Sequence, residues 1–266
     1  YDVTIRDTTA DIAVLALQGP EARTILQKTT DVDLAKLRFF RAATGRLDKC
    51  EVGITRTGYT GDLGYEIWTP NENALALYDA VLDAGREHMI EPCGLDTLDV
   101  VRIEAGFMLH GIDYFNAKTC LIEDQKSTPY EIALDWAVQL DREPFIGQAA
   151  IRAEKARGVK RTLVGLEISW ADLERLFDEE GLPPSVPTHA WRDPRPVFRD
   201  GAQVGQATSG VWSPILKKYL ALATVNAPHD REGTALQMEL TVEFERKKVK
   251  AKVVPKPFFD PERKRA

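Results

Sequence analysis

Beyond Lys160 the chain becomes a succession of short β-prone runs, TLVGLEI, LALATV, MELTVEFE and KAKVVP, set apart by Pro, Gly and Asp. Evenly spaced short strands with turn residues between them bury their apolar faces by closing into a small antiparallel barrel or sandwich. A C-terminal antiparallel β-barrel domain is therefore predicted over residues 160–266, preceded by a domain of different texture over residues 1–159. Within the barrel, the polar and Pro-rich stretch at about residues 169–195 opens with one short amphipathic helix and reads as an insertion.

In the first domain strands and helices alternate in an α+β manner. Asp11–Leu17 reads as a strand, Gln18-Gly19-Pro20 as a break, and the following EARTILQKTT as a helix with Ala22, Ile25 and Leu26 on its inward face. Residues 50–57 alternate as a strand, GYTGDLGYEIW is a turn leading into another, and Asn71–Glu87 has helical spacing with Asn71 or Asn73 as its cap. Thr97–Phe107 is expected to be a helix that turns Leu98, Val101 and Ala105 inward, and Gln148–Arg157 another. The opening Tyr1-Asp-Val-Thr-Ile-Arg alternates as if the chain began inside a sheet, while the basic tail ERKRA reads as solvated.

Composition narrows the function. A hydrophobic content of 44% supports an ordinary core, and a formal net charge of −6 opposes a polyanionic partner such as nucleic acid. No apolar run approaches the roughly 20 residues a bilayer helix needs, so no membrane role is expected. Cys50, Cys93 and Cys120 lie far apart without metal-ligand spacing, which predicts reduced thiols, a cytoplasmic location and no metal. His88, His110, His189 and His229 are scattered, and no nucleophile elbow, Walker loop or dinucleotide fingerprint is present.

Two clusters remain. In Thr57–Trp68 (TGYTGDLGYEIW) Gly58, Gly61 and Gly64 permit close backbone approach, Tyr59 and Tyr65 offer flat faces, and Glu66 supplies a carboxylate. A heteroaromatic amino-amide edge presents two adjacent N–H donors that one carboxylate accepts together. The alternative is a plain glycine-rich hairpin with Glu66 in solvent. The other cluster, Asp96, Asp99, Arg102 and Glu104, is either functional or a set of ion pairs on one helix, Asp99 and Arg102 being three residues apart.

The blocks ALQGPEA, RTGYTGDLGYEI, RIEAG, STPYEIALDWAV, FIGQAA, LVGLE, TSGVWSP, LALATV and VVPKPFF occur in the order in which the glycine-cleavage T-protein family of aminomethyltransferases carries them, and the chain resembles that family over nearly its whole length. The resemblance implies a folate-binding cloverleaf-type T-protein fold, here incomplete, with roughly the first third of such a protein lying upstream of these blocks. It implies a tetrahydrofolate-dependent transferase of methyl or aminomethyl groups, working on a small-molecule one-carbon donor and possibly with a carrier protein. Glu66 matches the family carboxylate that holds the pterin edge, Tyr59 an aromatic beside it, and Trp136 a Trp near the cavity. The family's catalytic Asp belongs to the upstream segment, so no residue here takes its role. Leu98 stands where the family has a folate-contacting Arg, and Arg263 lies nearest the position of its tail Tyr. These departures point to a paralogue with another donor. A folate-dependent O- or S-demethylase, a folate-binding accessory protein without transferase activity, and a module of a flavin-dependent demethylating dehydrogenase are the competing expectations.

Overall fold

Alternation sets the first sheet. In strand β1 (Ile12–Gln18) Leu17 is buried and Ile12 and Val14 are exposed on the opposite face, the pattern of a strand with one face on a core. The structure is a computed structural model that describes residues 2–266. It divides into two compact units, one ending at Leu98 and including Asp260–Ala266, the other spanning Asp99–Phe259.

In the first unit β1 pairs with β4 (Gly64–Pro70), β4 with β3 (Cys50–Thr55) and β3 with β2 (Ala42–Leu47), all antiparallel, in the order β1-β4-β3-β2. Helices α1 (Ala22–Gln27) and α2 (Ala74–Gly85) contribute Ile25, Leu26, Leu77 and Val81 to the core beneath Val52, Ile54, Tyr65 and Ile67. Each such burial stabilises by about 1.5–3 kcal/mol. The other face of β1 and β4 remains open, with Val14 opposite Trp68 and Ala16 opposite Glu66.

Three features of this unit differ from what the sequence pattern predicts. Residues 2–7 form no strand, and Tyr1 lies outside the described residues. Asn73 does not cap α2; its amide donates to Thr69 Oγ1 at 3.4 Å instead. The tail is not simply solvated. Lys264 is buried and ion-paired with Asp260, and Arg56, itself buried, donates to the carbonyl oxygens of Lys264 and Ala266.

In the second unit a closed barrel has the strand order β10-β5-β8-β7-β6-β9, with β5 (Arg161–Ile168), β6 (Arg195–Arg199), β7 (Ala202–Ser213), β8 (Lys218–Asn226), β9 (Ala235–Val242) and β10 (Glu245–Val254). The pairing of β9 with both β10 and β6 completes the closure and leaves no edge between them. Leu166, Val197, Ala221, Met238, Val249 and Val253 fill the interior. Helix α4 (Gln148–Arg157) precedes the barrel, and α5 (Trp170–Asp178) opens the polar stretch after β5, capped by Ser169 Oγ accepting from the Asp172 amide. The run MELTVEFE is not one strand. Glu243 and Phe244, both at positive φ, form a two-residue turn between β9 and β10 without the Asn or Gly such a turn favours.

Helix α3 (Leu95–Glu104) also departs from expectation. Its buried residues are Asp99, Arg102, Ile103 and Glu104, and Ala105 just past its end is buried as expected, whereas Leu98 and Val101 are only half-buried. Charge goes inward because every buried charged group on this helix meets a partner. No helix among the described residues is long and apolar enough to cross a membrane.

Candidate functional site

The Gly-rich loop between β3 and β4 is built around one side chain from β1. The Gln18 amide sits where a Cβ on Gly58 or on Gly64 would fall, so a side chain at either position would push that amide out of its place. The amide donates to the carbonyls of Thr57 (3.3 Å) and Tyr65 (3.5 Å), and its Oε1 accepts from Thr60 at 2.9 Å. From the far side Asp62 accepts both Arg263 Nε (2.7 Å) and Nη2 (2.6 Å), a bidentate pair, and caps the Leu63 amide at 2.6 Å. Its hydrogen bond to Asp62 holds the Arg263 guanidinium above the usual arginine range.

On this frame Glu66 is presented on the open face of β4. Its neighbours across the sheet are Ala16 on β1 and Thr55 on β3. Ala16 offers no competing polar group. On the other flank Glu66 Oε2 accepts from Thr57 Oγ1 at 2.6 Å, with Thr55 Oγ1 3.2 Å away, whereas Oε1 has no protein partner among the described residues. A half-buried carboxylate with one oxygen tied down and the other open is a ready acceptor for paired N–H donors. The chemistry of this acceptor fits the amino-amide edge of a pterin.

Tyr59 lies half-buried in the same loop as Glu66's supporting residues. Tyr65 is not a ligand face: it is fully buried in the core and its hydroxyl accepts from Arg23 Nε at 3.2 Å. Trp136 belongs to the second unit, on a single turn (Asp135–Ala137), and is 75% exposed. Thr55, Thr57 and Gln18 were not singled out in the sequence. The spacing of Thr55 and Thr57, two apart beside a strand, is the one sign that they share a face.

The acidic and basic cluster of α3 resolves into a buried network in the second unit. Arg102 Nε donates to Asp99 Oδ1 (2.7 Å) and its Nη1 to Asp113 Oδ2 (2.6 Å). Asp113 also accepts from Thr208, Ser209 and the Leu109 amide, and Arg192 reaches the other oxygen of Asp99. Glu104 is buried against the Ser213 hydroxyl; burial pushes its carboxyl up and the hydrogen bond draws it back. The ion-pair reading of Asp99 and Arg102 describes this network, although Arg102 Nη2 is buried without a hydrogen-bond partner among the described residues. Asp96 is exposed. His88 pairs with Glu21 and His110 with Thr119, neither beside a nucleophile.

The loop's construction predicts a measurable coupling. Gly64→Ala should displace the Gln18 amide and lower the stability of the first unit by about 1–3 kcal/mol. In a Gln18→Ala background the same change should cost much less. Urea midpoints of the four proteins in the cycle give the answer, and simple additivity would show that Gln18 is not what demands glycine.

The sequence profile of the GCVT N-terminal domain matches residues 1–142, and that of the glycine cleavage T-protein C-terminal barrel domain matches residues 182–260. An aminomethyltransferase of Geobacillus thermodenitrificans is 38% identical over 260 residues, covering 97% of this chain and 63% of the relative. One from Clostridium botulinum (strain Loch Maree / Type A3) is 37% identical over 261 residues, covering 97% and 62%. The crystal structure of glycine cleavage system aminomethyltransferase T from Bartonella henselae superposes with a TM-score of 0.73 at 29% identity, over 94% of this chain and 60% of that one. The chain thus spans less than two thirds of the length of the relatives it matches.

Proposed function

Because the chain belongs to the glycine cleavage T-protein family, we propose that it serves a tetrahydrofolate-dependent one-carbon transferase in which Glu66 holds the pterin edge. One observation carries the reading: the open Oε1 of Glu66, set beside Ala16 on the exposed sheet face and backed by a glycine loop that packs around Gln18. When bound, tetrahydrofolate supplies the nitrogen that receives a methyl or methylene group from a small donor. Glu66 orients that ring by accepting its N–H edge, and Tyr59 supplies an aromatic wall. Trp136, on the second unit, is assigned to folate binding on the strength of the resemblance alone. The protein's part is positioning and exclusion of water rather than covalent chemistry. No residue of this chain is assigned as the catalytic acid or base. In functional terms residues 1–159 are assigned to folate binding and 160–266 to the barrel.

Leu98 favours a donor other than the aminomethyl group named in the relatives. An Arg at that place would offer charge-assisted hydrogen bonds of about 1.5–3 kcal/mol each, which a leucine cannot make. A folate-dependent demethylase, with or without a carrier protein and acting in the cytoplasm, is thus the second reading. Incubating the protein with tetrahydrofolate and a panel of aminomethyl, O-methyl and S-methyl donors separates the two by product: 5,10-methylenetetrahydrofolate for aminomethyl donors and 5-methyltetrahydrofolate for methyl donors. Tight folate binding with no product from any donor would sink the transferase and leave a folate-binding accessory protein.

A further inference from the structure

Glu66 does not stand alone on its strand pair. Thr57 Oγ1 is 2.6 Å from Glu66 Oε2, Thr55 Oγ1 is 2.8 Å from Thr57 Oγ1, and Trp68 Nε1 is 3.4 Å from Thr55 Oγ1. Each hydroxyl has one hydrogen to give, the indole N–H can only donate, and an ionised carboxylate can only accept. If Thr57 gave its hydrogen to Thr55, two bare oxygens would face each other at the shortest contact of the set. The order that satisfies the two shortest contacts therefore runs one way, from Trp68 Nε1–H to Thr55, from Thr55 to Thr57, and from Thr57 to Glu66 Oε2, and it leaves the longer approach of Thr55 Oγ1 to Glu66 Oε2, 3.2 Å, without a hydrogen between the two oxygens.

We propose that Thr57, ordered by Thr55 and Trp68, is a positioning residue that locks one oxygen of Glu66 and so aims the carboxylate's remaining lone pairs at the N–H edge of a folate. The inference rests on the reading of Glu66 as the ligand's acceptor. Its physical content lies in direction. Because Thr55 spends its hydrogen on Thr57, Oε2 receives one firm hydrogen bond and keeps a lone pair, and both lone pairs of Oε1 stay free, so two adjacent N–H groups are still accepted together. A chain of donors running toward the anion also polarises each member, so Thr57 is a stronger donor than an isolated hydroxyl. Without this chain the Glu66 side chain, flanked by Ala16 and half-exposed, would sample several rotamers, and ordering it would be charged against binding.

The test is a double-mutant cycle on tetrahydrofolate affinity, with Thr57→Val, Thr57→Ser, Glu66→Ala and the Thr57→Val/Glu66→Ala pair. Thr57→Val, nearly isosteric, should weaken binding about tenfold with KM rising and kcat for any active donor little changed, and Thr57→Ser should bind as the wild type does. In the Glu66→Ala background Thr57→Val should have no further effect. Should Thr57→Val not fold, Thr57→Ala takes its place in the cycle. Unchanged affinity in the valine variant, or an equal loss with Glu66 absent, would overturn the inference while leaving Glu66 as the ligand residue. Failure of the wild type to bind tetrahydrofolate removes both together.

Discussion

Arg102→Ala should destabilise the second unit by about 3–5 kcal/mol, enough to leave it partly unfolded at ambient temperature. Arg102 is 1% exposed and joins the carboxylates of Asp99 and Asp113, the latter with its side chain fully enclosed. Removing the guanidinium strands the buried Asp113 carboxylate, whose desolvation is offset by a single ion pair. The Thr208 and Ser209 hydroxyls and the Leu109 amide still reach Asp113, but neutral donors replace a charge only in part. Arg192→Ala provides the contrast. That side chain is half-exposed in its pair with Asp99, and its loss should cost under about 1 kcal/mol. Hydrogen exchange read peptide by peptide checks both: in Arg102→Ala the amides of β7 and β8 should lose protection, while those of β1 and β4 should not. Equal stability of the two variants would mean that the network is not the anchor of this unit.

The other large effect is steric. Gly205 on β7 has no room for a Cβ, which would collide with the Thr224 carbonyl and the Val225 Cα of the neighbouring strand. Strand β8 cannot step aside, because it is paired with β7 on one flank and β5 on the other inside a closed barrel. Gly205→Val should therefore cost about 3 kcal/mol or more, at the upper end of overpacking penalties. The same change at Gly201, in the exposed turn before β7, meets no atoms and carries only the strain of its positive φ, about 1–2 kcal/mol. Urea unfolding of the two variants should rank them in that order; a Gly205→Val protein as stable as Gly201→Val would show that the strands separate there freely.

These two sites also show what could and could not be read from sequence. The barrel was legible because Leu163, Leu220, Met238 and Val253 sit in short apolar runs whose period is set by the pleat. Strand β2 was not, since Ala42-Ala43-Thr44-Gly45 has little β preference; tertiary pairing with β3 imposes it, and Gly45 is required by the close side chains of Asp31 and Val32. The inward face of α3 is legible in Ala105 but not in its charges, because the fold buries Asp99 and Arg102 among partners that lie outside the helix, Asp113 and Ser209. The Glu243-Phe244 turn escaped for lack of glycine or asparagine. At the site, Glu66 and Tyr59 were visible in the motif. Thr55 acquires its meaning from strand register, which sets it opposite Glu66, and Gln18 from its place opposite Gly64, neither of which local spacing discloses.

The central claim is that one carboxylate on an open sheet face receives the N–H edge of a folate. Calorimetric titration of tetrahydrofolate into the wild type and into Glu66→Gln tests it most directly. Glutamine keeps the shape, and its oxygen can still take the Thr57 hydrogen bond, but the group then facing the ligand is an NH2 that opposes the pterin's own donors. The account predicts saturable binding by the wild type and a loss of about 50-fold or more, roughly 2.3 kcal/mol, in the variant. Equal affinity of the two proteins, or no binding by the wild type, would contradict it.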